Sequence, residues 1–297
     1  MQIRMASLAD YEDDETLNKY LSEQLTAGSL TLVLGAGVST HFGLPSWKKL
    51  IGRLFKAKRA ATPKRDPKRQ AEEYRNRYHK NDVKGFLKAV RTALYRDISI
   101  DLDAMRSHNT MAAVASVIMV SNRRSGTSQI ITFNWDDLLE TYLEYHGFVT
   151  QSVGEEKYWS KGVDVTILHP HGCLPYAEGR RRASRDIIFD QFSYTKAIGT
   201  KGDAWRQLLL SVMRTHTCLF IGLSGGDDNL DSLLERCMAQ HASGLDHSLY
   251  WGIAFSTSDK DSTFWERRRV FLKTVPDYKK SLSQFLFRIC QGAGVQG

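Results

Sequence analysis

Leu30-Thr31-Leu32-Val33-Leu34-Gly35-Ala36-Gly37-Val38-Ser39 is a short apolar run that breaks at once into glycine. An apolar, partly β-branched segment of this length is a buried strand, and two glycines directly after it let the backbone turn tightly. Strand, glycine turn and helix open a nucleotide-binding α/β unit, in which glycines admit a pyrophosphate and the following helix offers N–H groups and a positive dipole end. The usual third glycine is displaced to Gly43, ahead of Leu44-Pro45, and a tight structural turn would look much the same.

Further candidate strands lie along the chain. Gln129–Asn134, Val163–Leu168, Asp186–Phe189, Thr217–Gly222 and Leu249–Phe255 are apolar and short. Helical spacing runs over Asp136–Tyr145, with Gly147 placed to end it, and over Trp205–Thr215 and Asn229–Gln240. The alternation predicts a Rossmann-like, doubly wound α/β fold with a parallel sheet, and ligands at the carboxyl ends of its strands. The expected organisation is a single domain over 1–297: a core from 28–48 and 128–256, a helical insertion at 49–127, and C-terminal helices over 257–297 that divide near Pro276. Leu17, Leu21 and Leu25 mark a helix before the first strand.

Composition narrows the classes. The chain has 297 residues, 42% hydrophobic and 25% charged, which suits a packed core rather than disorder. Its net charge of +8 admits an anionic partner without choosing one. Met111–Val120 is too short for a membrane span and reads as a buried helix, and the first residues carry no apolar leader, so the expected setting is cytoplasmic. Cys173, Cys218, Cys237 and Cys290 are scattered, with no C-x-x-C pair, so no metal is expected and the thiols read as buried and reduced. The basic stretch Lys56–Arg69, broken by Pro63 and Pro67, reads as an exposed loop, and Arg180-Arg181-Arg182 as a second basic patch.

Four places offer chemistry, each at a strand end. Gly35, Ala36, Gly37 and Ser39 form the first. Thr132-Phe133-Asn134-Trp135-Asp136 forms the second, where Asn134 reads as ligand-facing and Asp136 as either a ligand contact or a helix cap. His169-Pro170-His171-Gly172 is the third. His171 beside a glycine suits a general base, and His169 reads as packing or hydrogen-bonded. Gly222-Leu223-Ser224-Gly225-Gly226-Asp227-Asp228 is the fourth, with Gly222 and Ser224 as ribose or adenine contacts and either aspartate able to cap the next helix.

In this order the four stretches resemble the sirtuins: Gly35-Ala36-Gly37-Val38-Ser39 with Gly43-Leu44-Pro45, Thr132–Asp136, His171-Gly172, and Gly222-Leu223-Ser224. The resemblance covers roughly residues 28 to 256. It implies NAD as ligand, with Gly35, Ala36, Gly37, Ser39, Thr132, Gly222 and Ser224 binding it, and Asn134, His171 and Asp136 acting on it. Protein-deacylating sirtuins also carry two C-x-x-C pairs and an Asp-Phe-Arg after the proline, where this chain has Ser46-Trp47-Lys48. Without those features the chain looks more like bacterial sirtuin-like proteins of antiphage defence. That likeness implies hydrolysis of NAD to nicotinamide and ADP-ribose, a homo-oligomer, and a separate HerA-type ATPase as partner. The alternatives are an NAD-dependent deacylase, a non-catalytic NAD or ADP-ribose sensor, and nucleic-acid binding by the basic stretches.

Overall fold

The computed structural model describes residues 7–125, 128–154, 162–177, 179, 181, 183–198, 203–241 and 250–295. Among these, seven strands form one sheet in the order β3-β4-β2-β1-β5-β6-β7, with every neighbouring pair parallel. They are β1 (Leu30–Leu34), β2 (Ser128–Thr132), β3 (Thr150–Val153), β4 (Val165–Leu168), β5 (Thr217–Ile221), β6 (Gly252–Ser256) and β7 (Val270–Thr274). This is the doubly wound Rossmann-like α/β fold that the strand–glycine–helix alternation predicts.

The sheet is central because its strands are apolar on both faces, as a parallel sheet requires. Leu32, Leu34, Ile130, Val165, Ile167, Leu219 and Ile221 join the core on one face. Val33, Ile131, Leu168, Cys218, Phe220 and Ala254 join the core on the other. The first face is covered by α2 (Asp14–Thr26), α7 (Asn109–Ser125) and α13 (Ser283–Val295), which pack on one another. Leu17, Leu21 and Leu25 of α2 are fully buried there, and the Asp13 carboxylate caps the helix by accepting from the Thr16 N–H at 2.7 Å. The second face is covered by α10 (Asp203–Thr215) and α11 (Asp228–His241).

Between β1 and β2 run α3 (Trp47–Ala57), α4 (Pro67–His79), α5 (Val83–Leu94) and α6 (Leu102–Arg106), ahead of α7. The first three pack on one another, with Leu50, Leu54, Phe55, Tyr74, Phe86 and Val90 buried among them. The basic loop spans 58–66, since Pro67 opens α4 with Asp66 as its cap.

Several elements differ from the sequence reading. No helix directly follows the β1 glycines. Two short 3-10 turns, Ala36–Val38 and Thr40–Phe42, come first, and Gly43 ends them in the left-handed conformation at φ 84°. Asp186–Phe189 is not a strand: its Ile188 N–H bonds the His171 carbonyl at 3.0 Å, but it joins no sheet. The tail after residue 257 is not helical throughout, because β7 pairs with β6 after the short α12 (Ser262–Glu266). β3 was not foreseen either. Helix α8 (Leu138–Tyr145) starts two residues later than expected and ends before Gly147 at φ 84°, while α9 (Gln191–Ile198) precedes α10. Leu249, Arg180 and Arg182 lie outside the described residues. No helix among the described residues is long and apolar enough to cross a membrane.

Candidate functional site

In the sheet order, β1 lies between β2 and β5, so the connections leaving β1 and β5 run to opposite sides. Such a switch point leaves a crevice beyond the carboxyl ends of the strands. A cavity of about 350 Å³ occupies it. Its lining includes Gly35, Ala36 and Ser39 after β1, Asn134 and Asp136 after β2, His171 after β4, and Gly222 and Ser224 after β5.

Two predicted residues are placed differently. Gly37 does not line the cavity; it packs against the β5 turn. Its N–H bonds the Gly222 carbonyl at 3.0 Å, and a Cβ on Gly37 would sit 2.6 Å from the Gly222 Cα. Gly222, at φ 73°, returns the constraint: its own Cβ would lie 2.8 Å from Gly37 backbone atoms. The glycines thus let two strand-end turns touch. Thr132 is buried behind the cavity, where its hydroxyl accepts from the Asn134 N–H at 3.2 Å.

Asn134 is held by its side-chain amide. Nδ2 donates to the Gly35 carbonyl at 3.1 Å and to Ser39 Oγ at 3.2 Å. A carbonyl can only accept, so this fixes which end of the amide is nitrogen. Oδ1 makes none of these bonds and remains an acceptor beside the cavity. Ser39 Oγ donates in turn to Asp136 Oδ1 at 3.1 Å, which also accepts from the Leu138 N–H at 3.3 Å. Asp136 therefore lines the cavity and bonds the first N–H of α8, but it is not the helix cap: that position is Asp137, whose side chain makes no capping bond. Its burial raises the carboxyl from the ordinary aspartate value to about 7, more than its hydrogen bonds lower it.

His171 is 5% exposed, and its Nε2 is buried with no hydrogen bond. Asp227 Oδ2 lies 3.4 Å from it, outside hydrogen-bond geometry but close enough to pair with the imidazole once that ring is protonated. Asp227 was foreseen only as a cap. It does cap α11, through Oδ1 and the Leu230 N–H at 2.8 Å, while Oδ2 accepts from the Tyr194 hydroxyl at 3.0 Å. Burial alone would raise this carboxyl; His171, the Leu230 N–H and Tyr194 outweigh it and hold it at about 2.

His169 is a buried structural histidine. Its Nδ1–H donates to the Asn134 carbonyl at 3.0 Å, and its Nε2 meets Glu140 Oε1 at 2.8 Å. Burial opposes charge on both partners, yet their mutual attraction raises the imidazole and lowers the carboxyl, so they form an ion pair. Cys173 stands beside them, and the three offer ligand atoms within 4.8 Å of one another, although Nε2 and Oε1 already bond each other. All four cysteines are free, and Cys290 alone of them is not fully buried.

Sequence reasoning missed the aromatic and cationic walls. Trp47 and Trp135 stand 5.5 Å apart between ring centres, both near Phe189, and Trp135 Nε1 is buried without a partner. Lys68 and Tyr194 close another side, the lysine pairing with Asp228 at 2.7 Å. Trp135 sits between Asn134 and Asp136, so it was within the quoted motif; Lys68 falls in the basic stretch Lys56–Arg69, which reads as an exposed loop, whereas it belongs to α4 and lines the cavity.

A family model described as the SIR2-like domain matches residues 128–272, just under half of the chain. That span holds Asn134, His171 and Gly222, and β1 with its glycine turn lies outside it. A solved structure presented as "Structural Basis for the Mechanism and Regulation of Sir2 Enzymes" is similar over 94% of this chain and 97% of that chain, at 12% identity and a TM-score of 0.48. No curated protein matches the chain.

Proposed function

We propose that the chain hydrolyses NAD to nicotinamide and ADP-ribose. The observation that carries this reading is His171 Nε2, buried in the cavity wall without a hydrogen bond, in the same cavity as the anchored amide of Asn134. The SIR2-like match over 128–272 supports NAD as the substrate class. The residues also suit a dinucleotide: two indoles for a flat ring, and Trp135 Nε1 free to donate.

In the proposed reaction the bond between ribose C1′ and the nicotinamide nitrogen breaks, and its electron pair neutralises the pyridinium. The leaving group departs neutral and needs no acid. A water oxygen then bonds C1′ while its proton passes to His171 Nε2. Asn134 Oδ1 accepts from that water or from a ribose hydroxyl, and Asp227 steadies the imidazole as it gains charge. Asp136, with Ser39, holds the nicotinamide carboxamide. The apolar walls exclude other water and strengthen each of these interactions.

The cellular role that fits is an effector of bacterial antiphage defence that depletes NAD. A constitutive hydrolase would poison its host, so activity is gated by homo-oligomer assembly or by a partner such as a HerA-type ATPase.

The test is to incubate the purified chain with NAD, alone and with a candidate ATPase, and to follow nicotinamide and ADP-ribose by chromatography. Turnover abolished in His171→Ala is expected. NAD bound but intact under both conditions would overturn hydrolysis and leave a sensor. Deacylation of an acetylated peptide would replace it with a deacylase.

A further inference from the structure

The positive charge of the chain is not spread over it. Residues 47–106, which hold α3 to α6, contain eighteen Lys and Arg against seven Asp and Glu. The remainder holds twenty-three against twenty-six, slightly acidic. The whole net charge therefore sits on this helical stretch.

A second cavity, of about 330 Å³, opens in the same stretch and is separate from the first. Arg53, Lys58, Lys88 and Arg96 line it, from α3, its C-terminal cap, α5 and the turn after α5. Lys58, Lys88 and Arg96 are exposed, while Arg53 is half-buried, donating to the Ala93 carbonyl at 2.8 Å and standing 3.9 Å from Asp97. His79 also lines the cavity. Its side chain is 7% exposed and its Nδ1 has no hydrogen bond, the Asp82 carboxylate being 3.7 Å away. Cations around a concavity, with an unpartnered imidazole nitrogen in its wall, suit a phosphate group.

We propose that this cationic cavity seats a backbone phosphate of a nucleic acid, and that the surrounding basic helices follow the strand. A single small phosphate ester would use the cavity alone; the excess of eleven charges over the stretch is what a chain of phosphates matches. This site is independent of the NAD reading and would stand if that failed.

The experiment titrates fluorescently labelled single- and double-stranded oligonucleotides with the full chain at several salt concentrations, reading anisotropy. Lys58→Gln, Lys88→Gln and Arg96→Gln are combined in one variant. A control variant removes three exposed charges elsewhere, Arg236→Gln, Lys260→Gln and Lys279→Gln. Thermal melts check that both fold. The cavity variant is expected to bind roughly tenfold or more weakly, with the slope of log K against log salt reduced by about 2, and the control to change far less. Equal losses in the two variants would show diffuse attraction and overturn the site. So would an absence of oligonucleotide binding at low salt, or binding of inorganic tripolyphosphate alone.

Discussion

Asn134 has both hydrogens of its amide committed, to the Gly35 carbonyl and to Ser39. Replacing it by aspartate keeps the shape and reverses the electrostatics, setting a carboxylate oxygen about 3 Å from a carbonyl with no proton between them. Asn134→Asp is expected to lower stability by about 1–3 kcal/mol in denaturant titration and to abolish NAD turnover. Retained turnover would remove Asn134 from the reaction. Asp136, held at about 7, gives a pH signature. Between about pH 4 and 7 the folded chain keeps a proton that the unfolded chain has released, so this residue costs stability as pH rises, on the order of 4 kcal/mol across the window. Denaturation of the wild type and of Asp136→Asn at pH 5 and 7.5 checks it: the variant should gain on the wild type as pH increases. A difference that ignores pH would mean that the folded carboxyl is already ionised at pH 5, as it is in the unfolded chain, and that burial does not raise it. At this scale much of the site was legible, because Asn134, Asp136 and His171 follow apolar runs at strand ends. The second duty of Asp227 was hidden, since a cap and an ion-pair partner look alike in one dimension.

Elements were legible where burial leaves a periodic trace. β1, β5 and α7 are apolar because both faces of this sheet are covered, and the sequence reading finds them. β3 is an edge strand of Thr150, Gln151, Ser152 and Val153, in which only Val153 is buried, so no apolar run announces it. β7 failed for a related reason: Lys273 and Thr274 at its end read as solvated. What ties the elements at the site is also invisible to periodicity. Glu140 of α8 pairs with His169 after β4 and accepts from Ser152 of β3 at 2.5 Å, and His169 reaches back to the Asn134 carbonyl. Removing one partner strands a buried charge, whereas removing both does not. Glu140→Leu alone is expected to cost about 3–5 kcal/mol, and Glu140→Leu with His169→Phe substantially less. Additive losses in that double-mutant cycle would mean that the pair is not the tie. The raised imidazole adds a sign. Its stabilisation is complete below its unfolded value near 6.5 and is lost as pH rises through its higher folded value, so the penalty of Glu140→Leu should shrink at alkaline pH.

Across the whole molecule, α4 is the bridge between the helical stretch and the sheet. Lys68 and Arg75 are seven residues apart, two helical turns, and so share a face. Lys68 meets Asp228 at the start of α11, and Arg75 holds Asp186 at 2.8 and 3.0 Å and Asp190 at 3.3 Å. Asp190 is almost fully buried and has bonded the Ser193 N–H with its other oxygen, so Arg75 supplies its counter-charge. The Lys68 end of this face lines the cavity that holds His171, so α4 connects the basic helices to the proposed NAD site. If the coupling is real, the two sides of the clamp should open together. Arg75→Ala is therefore expected to raise amide hydrogen exchange in 67–79 and in 186–194 by the same factor, leaving β1 and β5 protected. The affinity for NAD should fall as well, because Lys68 and Tyr194 no longer hold one wall in place. Exchange that rises in α4 alone would show a helix that frays by itself, and the basic stretch would then have no mechanical route to the site.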